Sequence, residues 1–149
     1  MKGTLVHDPE FAIRPFQKED YDLVLSLWRS SPGLSLSEAD SRTNLERYLV
    51  RNPGLSLTAW HRDRLVGAIL CGHDGRRGFL HHVAVAPGYR RQGVASCLIE
   101  GCLSALSRDG IRRCHVFVLT DNNEGRAFWR KMKWKDRNDI ALMTRQIEK

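Results

Sequence analysis

Between Lys18 and Ser30 the apolar positions Leu23, Val24, Leu27 and Trp28 recur every three or four residues, the period of a helix with one buried face. Glu19 and Asp20 fall in its first turn, where the positive end of the helix dipole favours acids. Ser30-Ser31-Pro32-Gly33 stops it. A second helix is expected after Ser35 and Glu38, which stand at capping-box spacing. Leu45, Tyr48 and Leu49 form its apolar stripe, and Asn52-Pro53-Gly54 ends it. Ahead of both, Phe11 to Arg14 reads as a short strand with Phe11 and Ile13 facing one way.

From Leu55 the rhythm shortens to that of strands. Leu55 to His61 and Leu65 to Gly72 are β-rich runs joined by the polar tip Arg62-Asp63-Arg64, a hairpin pattern. His73 to Gly78 is a second turn, and Phe79 to Val85 is the next strand, so three antiparallel strands are expected in sequence. Helical spacing returns over Val94 to Arg108, with Ala95, Leu98, Cys102 and Ala105 on one face and Asp109-Gly110 at its end. Arg113 to Leu119 is nearly all apolar, which predicts a central strand covered on both faces. Asn122 to Met132 reads as a last helix, with Gly125, Phe128, Trp129 and Met132 in register. The tail from Trp134 is expected to add one or two strands, the clearer being Ile140 to Ile147. The order β-α-α-β-β-β-α-β-α-β describes an α/β (α+β) fold. Its mixed, mostly antiparallel sheet is flanked by helices in one domain over 11–149, after a frayed lead-in at 1–10.

Composition narrows the class. A chain of 149 residues with 42% hydrophobic content suits one domain with one core. It has no run approaching the roughly 18 apolar residues of a membrane helix. The opening MKGTLVHDPE lacks an apolar signal core, so secretion is not expected. Cys71, Cys97, Cys102 and Cys114 lie in apolar stretches without CxxC spacing, which favours free buried thiols in a reducing cytoplasm over disulfides or zinc. No metal is expected. The net charge of +7 favours an anionic partner: nucleic acid, an acidic protein or a phosphorylated cofactor. Without an RNA-recognition aromatic motif, zinc ligands or a basic recognition helix, nucleic acid is the least favoured.

The chemistry concentrates in Val83-Ala84-Val85-Ala86-Pro87-Gly88-Tyr89-Arg90-Arg91-Gln92-Gly93-Val94-Ala95. A strand ends at Pro87, a basic turn follows, and Gly93 opens an amphipathic helix. The first turn of a helix carries unpaired N–H groups and the positive dipole end, so it binds phosphate well. Gly93 lets an anion approach the backbone, and Arg90 and Arg91 add mobile charge. The loop has neither the GKS/GKT ending of a P-loop nor the three-glycine dinucleotide fingerprint. A surface turn with glycine as helix entry is the plainer alternative.

On these residues the chain resembles the GNAT superfamily of acyl-CoA-dependent N-acyltransferases, over about residues 11–147. The specific part is Val83-Ala84-Val85-x-Pro87-x-Tyr89-Arg90-x-x-Gly93-x-Ala95, and the turn Gly72-His73-Asp74-Gly75-x-Arg77-Gly78 looks like a subgroup of small bacterial members. The resemblance implies acetyl-CoA as acyl donor and a primary amine as acceptor, joined by direct attack through a tetrahedral intermediate. It places the pyrophosphate on the loop Arg90, Arg91, Gln92, Gly93, Val94, Ala95 and Ser96, held mainly by backbone from Arg91 to Ala95. Val83, Ala84 and Val85 are implied to pair with the pantetheine like an added strand and to supply the oxyanion site. It is also compatible with a homodimer.

An alkylammonium has a pKa near ~10.4, so acyl transfer near neutral pH needs a proton acceptor. On strand alternation His81 shares the face of Val83 and Val85 and is the first candidate base, with His82 on the opposite face as the second. In arylalkylamine acetyltransferases of the resembling superfamily, a histidine stands at what looks like the position of His81. His115 reads as a hydrogen-bonded core histidine. The last helix departs from the family pattern. Asn122-x-x-Gly125-x-x-Phe128-Trp129 aligns Asn122 with a residue that bonds the pantetheine or the backbone around it, with Asn123 as the fallback. Trp129 falls where the family has a tyrosine that protonates the leaving thiolate. Indole has no proton to give near neutral pH, so Trp129 either offers an N–H hydrogen bond or only packs. Lys133 replaces a usual glycine. Arg112, Arg113, Arg126, Arg130, Lys131, Lys133 and Lys135 read as a solvated face or as partners for cofactor phosphates. A GNAT-fold acyl-CoA sensor without turnover is the alternative reading.

Overall fold

The computed structural model describes residues 11–148, so the expected lead-in at 1–10 lies outside the described residues. The chain divides into two compact units, one ending at Phe117 and the other beginning at Val118. The first holds strands β1 (Ala12–Pro15), β2 (Leu57–His61), β3 (Arg64–His73), β4 (Gly78–Val85) and β5 (Cys114–Val116). Helices α1 (Tyr21–Arg29), α2 (Arg42–Arg51) and α3 (Val94–Arg108) connect them. The sheet order is β1-β2-β3-β4-β5, antiparallel throughout except for the parallel pair β4–β5. This is the expected fold class.

The core centres on β3, which is buried without a break from Val66 to Gly72 because helices cover both of its faces. Gly67 and Gly72 are five residues apart and therefore face opposite ways. A Cβ on Gly67 would meet Val94 and Leu98 of α3, and one on Gly72 would meet Tyr48 of α2 and the following Asn52. Trp28, Leu45, Ile69, Leu80, Leu98 and Ile99 are among the fully buried side chains of this core.

Several expectations are corrected. Helix α2 is not entered through Ser35 and Glu38. Ser37 and Asp40 form the capping box of a short 3-10 turn, Glu38–Asp40, and Ser41 then caps α2 through the Asn44 N–H. The expected central strand at 113–119 shrinks to the three half-buried residues of β5 at the sheet margin, and Phe117 and Leu119 are exposed. An apolar run records burial potential, but only the ladder decides which strand is central. Cys97 is exposed and Cys114 half-buried, so only Cys71 and Cys102 are the buried free thiols expected of all four.

The second unit contains α4 (Asn123–Lys131). Residues 140–147 form no strand, contrary to the alternation of their sequence, and Ile140, Leu142, Met143 and Ile147 are exposed. A strand is defined by its partner, and alternation alone supplies none.

Candidate active site

The site grows from an irregularity in β4. Leu70 stands opposite His81 and Ala68 opposite Ala84, so two residues of β3 face three steps of β4. The extra residue is a β-bulge, and His82 sits at φ 57 within it, in the left-handed region. A bulge inverts the alternation beyond it. His81 therefore shares a face with Ala84, not with Val83 and Val85, and His82 does not point away from it. The His82 imidazole turns toward Trp28 of α1 and Asp40 of the 3-10 turn, and the His81 ring stands beside it with centroids 6.2 Å apart. The expected opposition of the two histidines is overturned by one inserted residue.

His82 is held from two sides. Its Nε2 lies 3.0 Å from Asp40 Oδ1, and its main-chain carbonyl accepts the Trp28 indole N–H at 2.9 Å. The other Asp40 oxygen accepts the Ser37 N–H at 3.1 Å. Burial pushes the Asp40 carboxyl up, but the bonds from His82 and Ser37 outweigh it and leave the group below its ordinary range. His81 stacks on Phe117 with ring centroids 6.1 Å apart. Burial, and then the neighbouring His82, lower its pKa below the usual imidazole value against a smaller opposing pull from Asp40. It is neutral near pH 7 and able to accept a proton. Phe79, half-buried on the same strand, stacks on Phe117 and meets His115 at a tilt, so His115 belongs to an aromatic row and not to the deep core.

Strand β5 runs beside β4 only at Gly78–Leu80, so Val83, Ala84 and Val85 lie beyond that parallel pairing. The chain then turns through the 3-10 segment Pro87–Tyr89 into Arg90-Arg91-Gln92-Gly93. Arg91 takes φ 64 and Gly93 φ 84, and Gly93 is the N-cap of α3. The αL conformation, where a side chain is disfavoured, explains a glycine here, and nothing lies within 4 Å of where its Cβ would stand. Val94, Ala95 and Ser96 form the first turn of α3, with Val94 buried under it. Arg90 is less mobile than expected: its Nε donates to the Val85 carbonyl at 3.1 Å and straps the loop to the strand. Gln92 Nε2 donates to the Gly88 carbonyl at 3.2 Å, and Tyr89 bonds His61 at the β2–β3 hairpin. The donor set suits a diphosphate: the dipole end of a 15-residue helix, main-chain N–H groups and a basic loop. Among the described residues no group of three His, Cys, Asp or Glu side chains could hold a metal ion.

Asn122 and Trp129 belong to the second unit. Asn122 Oδ1 accepts the Gly125 N–H at 2.9 Å and so caps α4, which puts this oxygen to a backbone use. Asn123 is the first residue of that helix. Trp129 is buried against Phe128 and Trp134, with centroids 5.3 and 4.9 Å away, as the packing reading requires. Lys133 adopts φ 77, so the turn usually made by glycine is kept with a lysine in it. Arg126 and Arg130 both bond Asp136, at 3.3 and 2.7 Å, instead of standing as unpaired charge. The residues the sequence reading missed are Asp40 and Trp28 as partners of His82. The Ser37–Asp40 capping spacing was the only sequence signal near them, and it speaks for a turn.

The acetyltransferase (GNAT) family model matches residues 21–134. An acetyltransferase of Pectobacterium atrosepticum is 31% identical over 136 residues, 91% of this chain and 96% of that one. An acetyltransferase of Photorhabdus laumondii is 31% identical over 135 residues, 88% of this chain and 91% of that one. The fold is shared with an aminoglycoside 6'-N-acetyltransferase of Acinetobacter haemolyticus, at TM-score 0.75 and 20% identity over 92% of this chain and 99% of that one. It is shared too with an N-acetyltransferase of Thermoplasma acidophilum in complex with coenzyme A, at TM-score 0.71 and 21% identity over 82% and 87% of the two chains. A family match spanning most of both units, with relatives alike over nearly their whole length, makes the conclusion direct: the chain belongs to the GNAT acetyltransferase family.

Proposed function

We propose that this protein transfers an acetyl group from acetyl-CoA to the primary amine of a small molecule or protein. The observation that carries the reading is the continuity of one segment. A bulged strand bearing two imidazoles runs into a basic turn and then into the start of α3, where the N-cap is a glycine.

In this reading, backbone from Arg91 to Ala95, with Arg90, Gln92 and Ser96 beside it, binds the diphosphate. Val83, Ala84 and Val85 orient the pantetheine chain along β4. Bound acetyl-CoA supplies the thioester carbonyl. Main-chain N–H groups turned off the β3 ladder at the bulge stabilise the oxyanion. A histidine at the bulge, His81 or His82, takes the proton of the amine. No acid at Trp129 is needed, because a thiolate whose conjugate acid has a pKa near ~8.5 leaves tolerably without full protonation.

The test is thiol release from acetyl-CoA across alkylamines, arylalkylamines, polyamines and peptides with free N-termini. Amine-dependent thiol release is expected. Tight coenzyme A binding with no thiol above background for any amine would instead favour an acyl-CoA sensor, to which the tryptophan at 129 lends its only support.

A further inference from the structure

Acyl transfer as outlined needs one imidazole at the bulge, yet the chain also places a carboxylate there and secures both of its oxygens. Asp40 is 8% exposed. One oxygen meets His82 Nε2 at 3.0 Å, the other accepts the Ser37 N–H at 3.1 Å, and the Tyr21 hydroxyl donates to the Asp40 carbonyl at 2.7 Å. Burying a carboxylate is costly unless its bonds are made, and here each oxygen has one while Tyr21 holds the main chain of the same residue. The ring it meets is equally constrained. Trp28 fixes the His82 carbonyl and stands edge-on to the imidazole at 5.0 Å, while the backbone is held at φ 57. Among the described residues His81 has no carboxylate on its ring, which stacks on Phe117.

An ionised carboxylate can only accept a hydrogen bond, so Nε2 of neutral His82 must carry the proton and Nδ1 the lone pair. We propose that Asp40 is a positioning residue for the acetyl transfer, holding His82 in the tautomer whose Nδ1 takes the proton of the attacking amine. The inference rests on the acetyltransfer reading. Nδ1 takes one proton of the substrate ammonium, the lone pair so freed forms the new C–N bond at the thioester carbon, and the second ammonium proton is lost to the departing thiolate. Collapse of the intermediate breaks the C–S bond, with the electron pair leaving on sulfur. The imidazolium so formed lies against the Asp40 carboxylate, which keeps the ring oriented. The charged or titratable groups facing His82 are Asp40 from the 3-10 turn and His81 from its own strand, and α1 presents the neutral Trp28. With 18% of its side chain exposed, His82 is open to a small reactant. His81, neutral beside it, lines the amine site.

The experiment measures kcat and KM for acetyl-CoA and a primary alkylamine, from neutral pH upward, in wild type, Asp40→Asn and His82→Gln. Asp40→Asn is expected to lower kcat on the order of 10²-fold, a typical general-base contribution, and to leave KM for acetyl-CoA unchanged. The deficit should shrink as pH approaches the amine's own pKa, where no acceptor is needed to free its lone pair. A merely structural carboxylate would give a loss independent of pH. If Asp40→Asn does not fold, His82→Gln carries the same expectation. Unchanged kcat in either variant, a pH-independent loss, or full activity of His82→Gln beside an inactive His81→Gln overturns the proposal alone. Wild type that binds coenzyme A but releases no thiol overturns the acetyltransfer reading, and this proposal with it.

Discussion

Among the described residues four other than glycine have positive φ, and two of them carry consequences: His82 at φ 57 and Lys133 at φ 77. An L-residue pays roughly 1–2 kcal/mol there, and glycine avoids that cost at the expense of a more flexible unfolded chain. Lys133→Gly is therefore expected to stabilise the protein by about 0.5–1 kcal/mol, read as a higher melting temperature, and a lower one would contradict the account of that turn. At His82 the strain accompanies the bulge and the two bonds that hold the ring and carbonyl. His81 gives a pH prediction. Its folded-state pKa lies below the ordinary value of 6.5, so the unfolded chain binds the proton more readily. The resulting stability is complete above about pH 6.5 and is lost as pH falls through the lower folded value. His81→Gln should flatten this part of the stability–pH curve, and an unchanged slope would count against a buried neutral His81. The sequence disclosed both histidines and their chemistry but not their orientation. Alternation assumes an unbroken ladder, and a single inserted residue reverses every face beyond it.

Elements place the loop. α3 begins at Val94, whose side chain is buried over Gly67 of β3, so the helix end proposed to bind phosphate rests on the absence of a side chain in the neighbouring strand. A Cβ at Gly67 would stand 2.9 Å from Val94 Cγ1 and 3.3 Å from the Ala84 carbonyl. Gly67→Ala is expected to cost about 1–3 kcal/mol by overpacking and to raise KM for acetyl-CoA several-fold while the amine KM changes less. Wild-type stability and KM would show that α3 is not seated this way. Helices were the most legible elements: α3 has the bounds its periodicity predicts, and α4 differs by one residue at each end. Strands were legible where a turn fixed their pairing. The hairpin at Arg62-Asp63 and the turn at Asp74, whose side chain accepts the N–H groups of Arg76 and Arg77, register β2, β3 and β4. Without such a turn the alternation of 140–147 and the apolar run of 113–119 misled, because pairing depends on residues far away in sequence.

At the scale of the whole molecule, a charge of +7 and a basic loop before a long helix suit a polyanionic donor. Family membership supplies the reaction class, and the proposed proton acceptor is His82, whose Nε2 meets Asp40 at 3.0 Å. The acceptor amine was not legible in the sequence, since the surfaces that select it carry no motif. The most direct measurement of the central claim incubates the protein with acetyl-CoA and its best amine, then quantifies free coenzyme A and the mass of the amine together. The account predicts equimolar thiol and amine heavier by one acetyl group, with no acetyl group left on the protein. Coenzyme A bound tightly, with no thiol released and every amine unchanged, would contradict it.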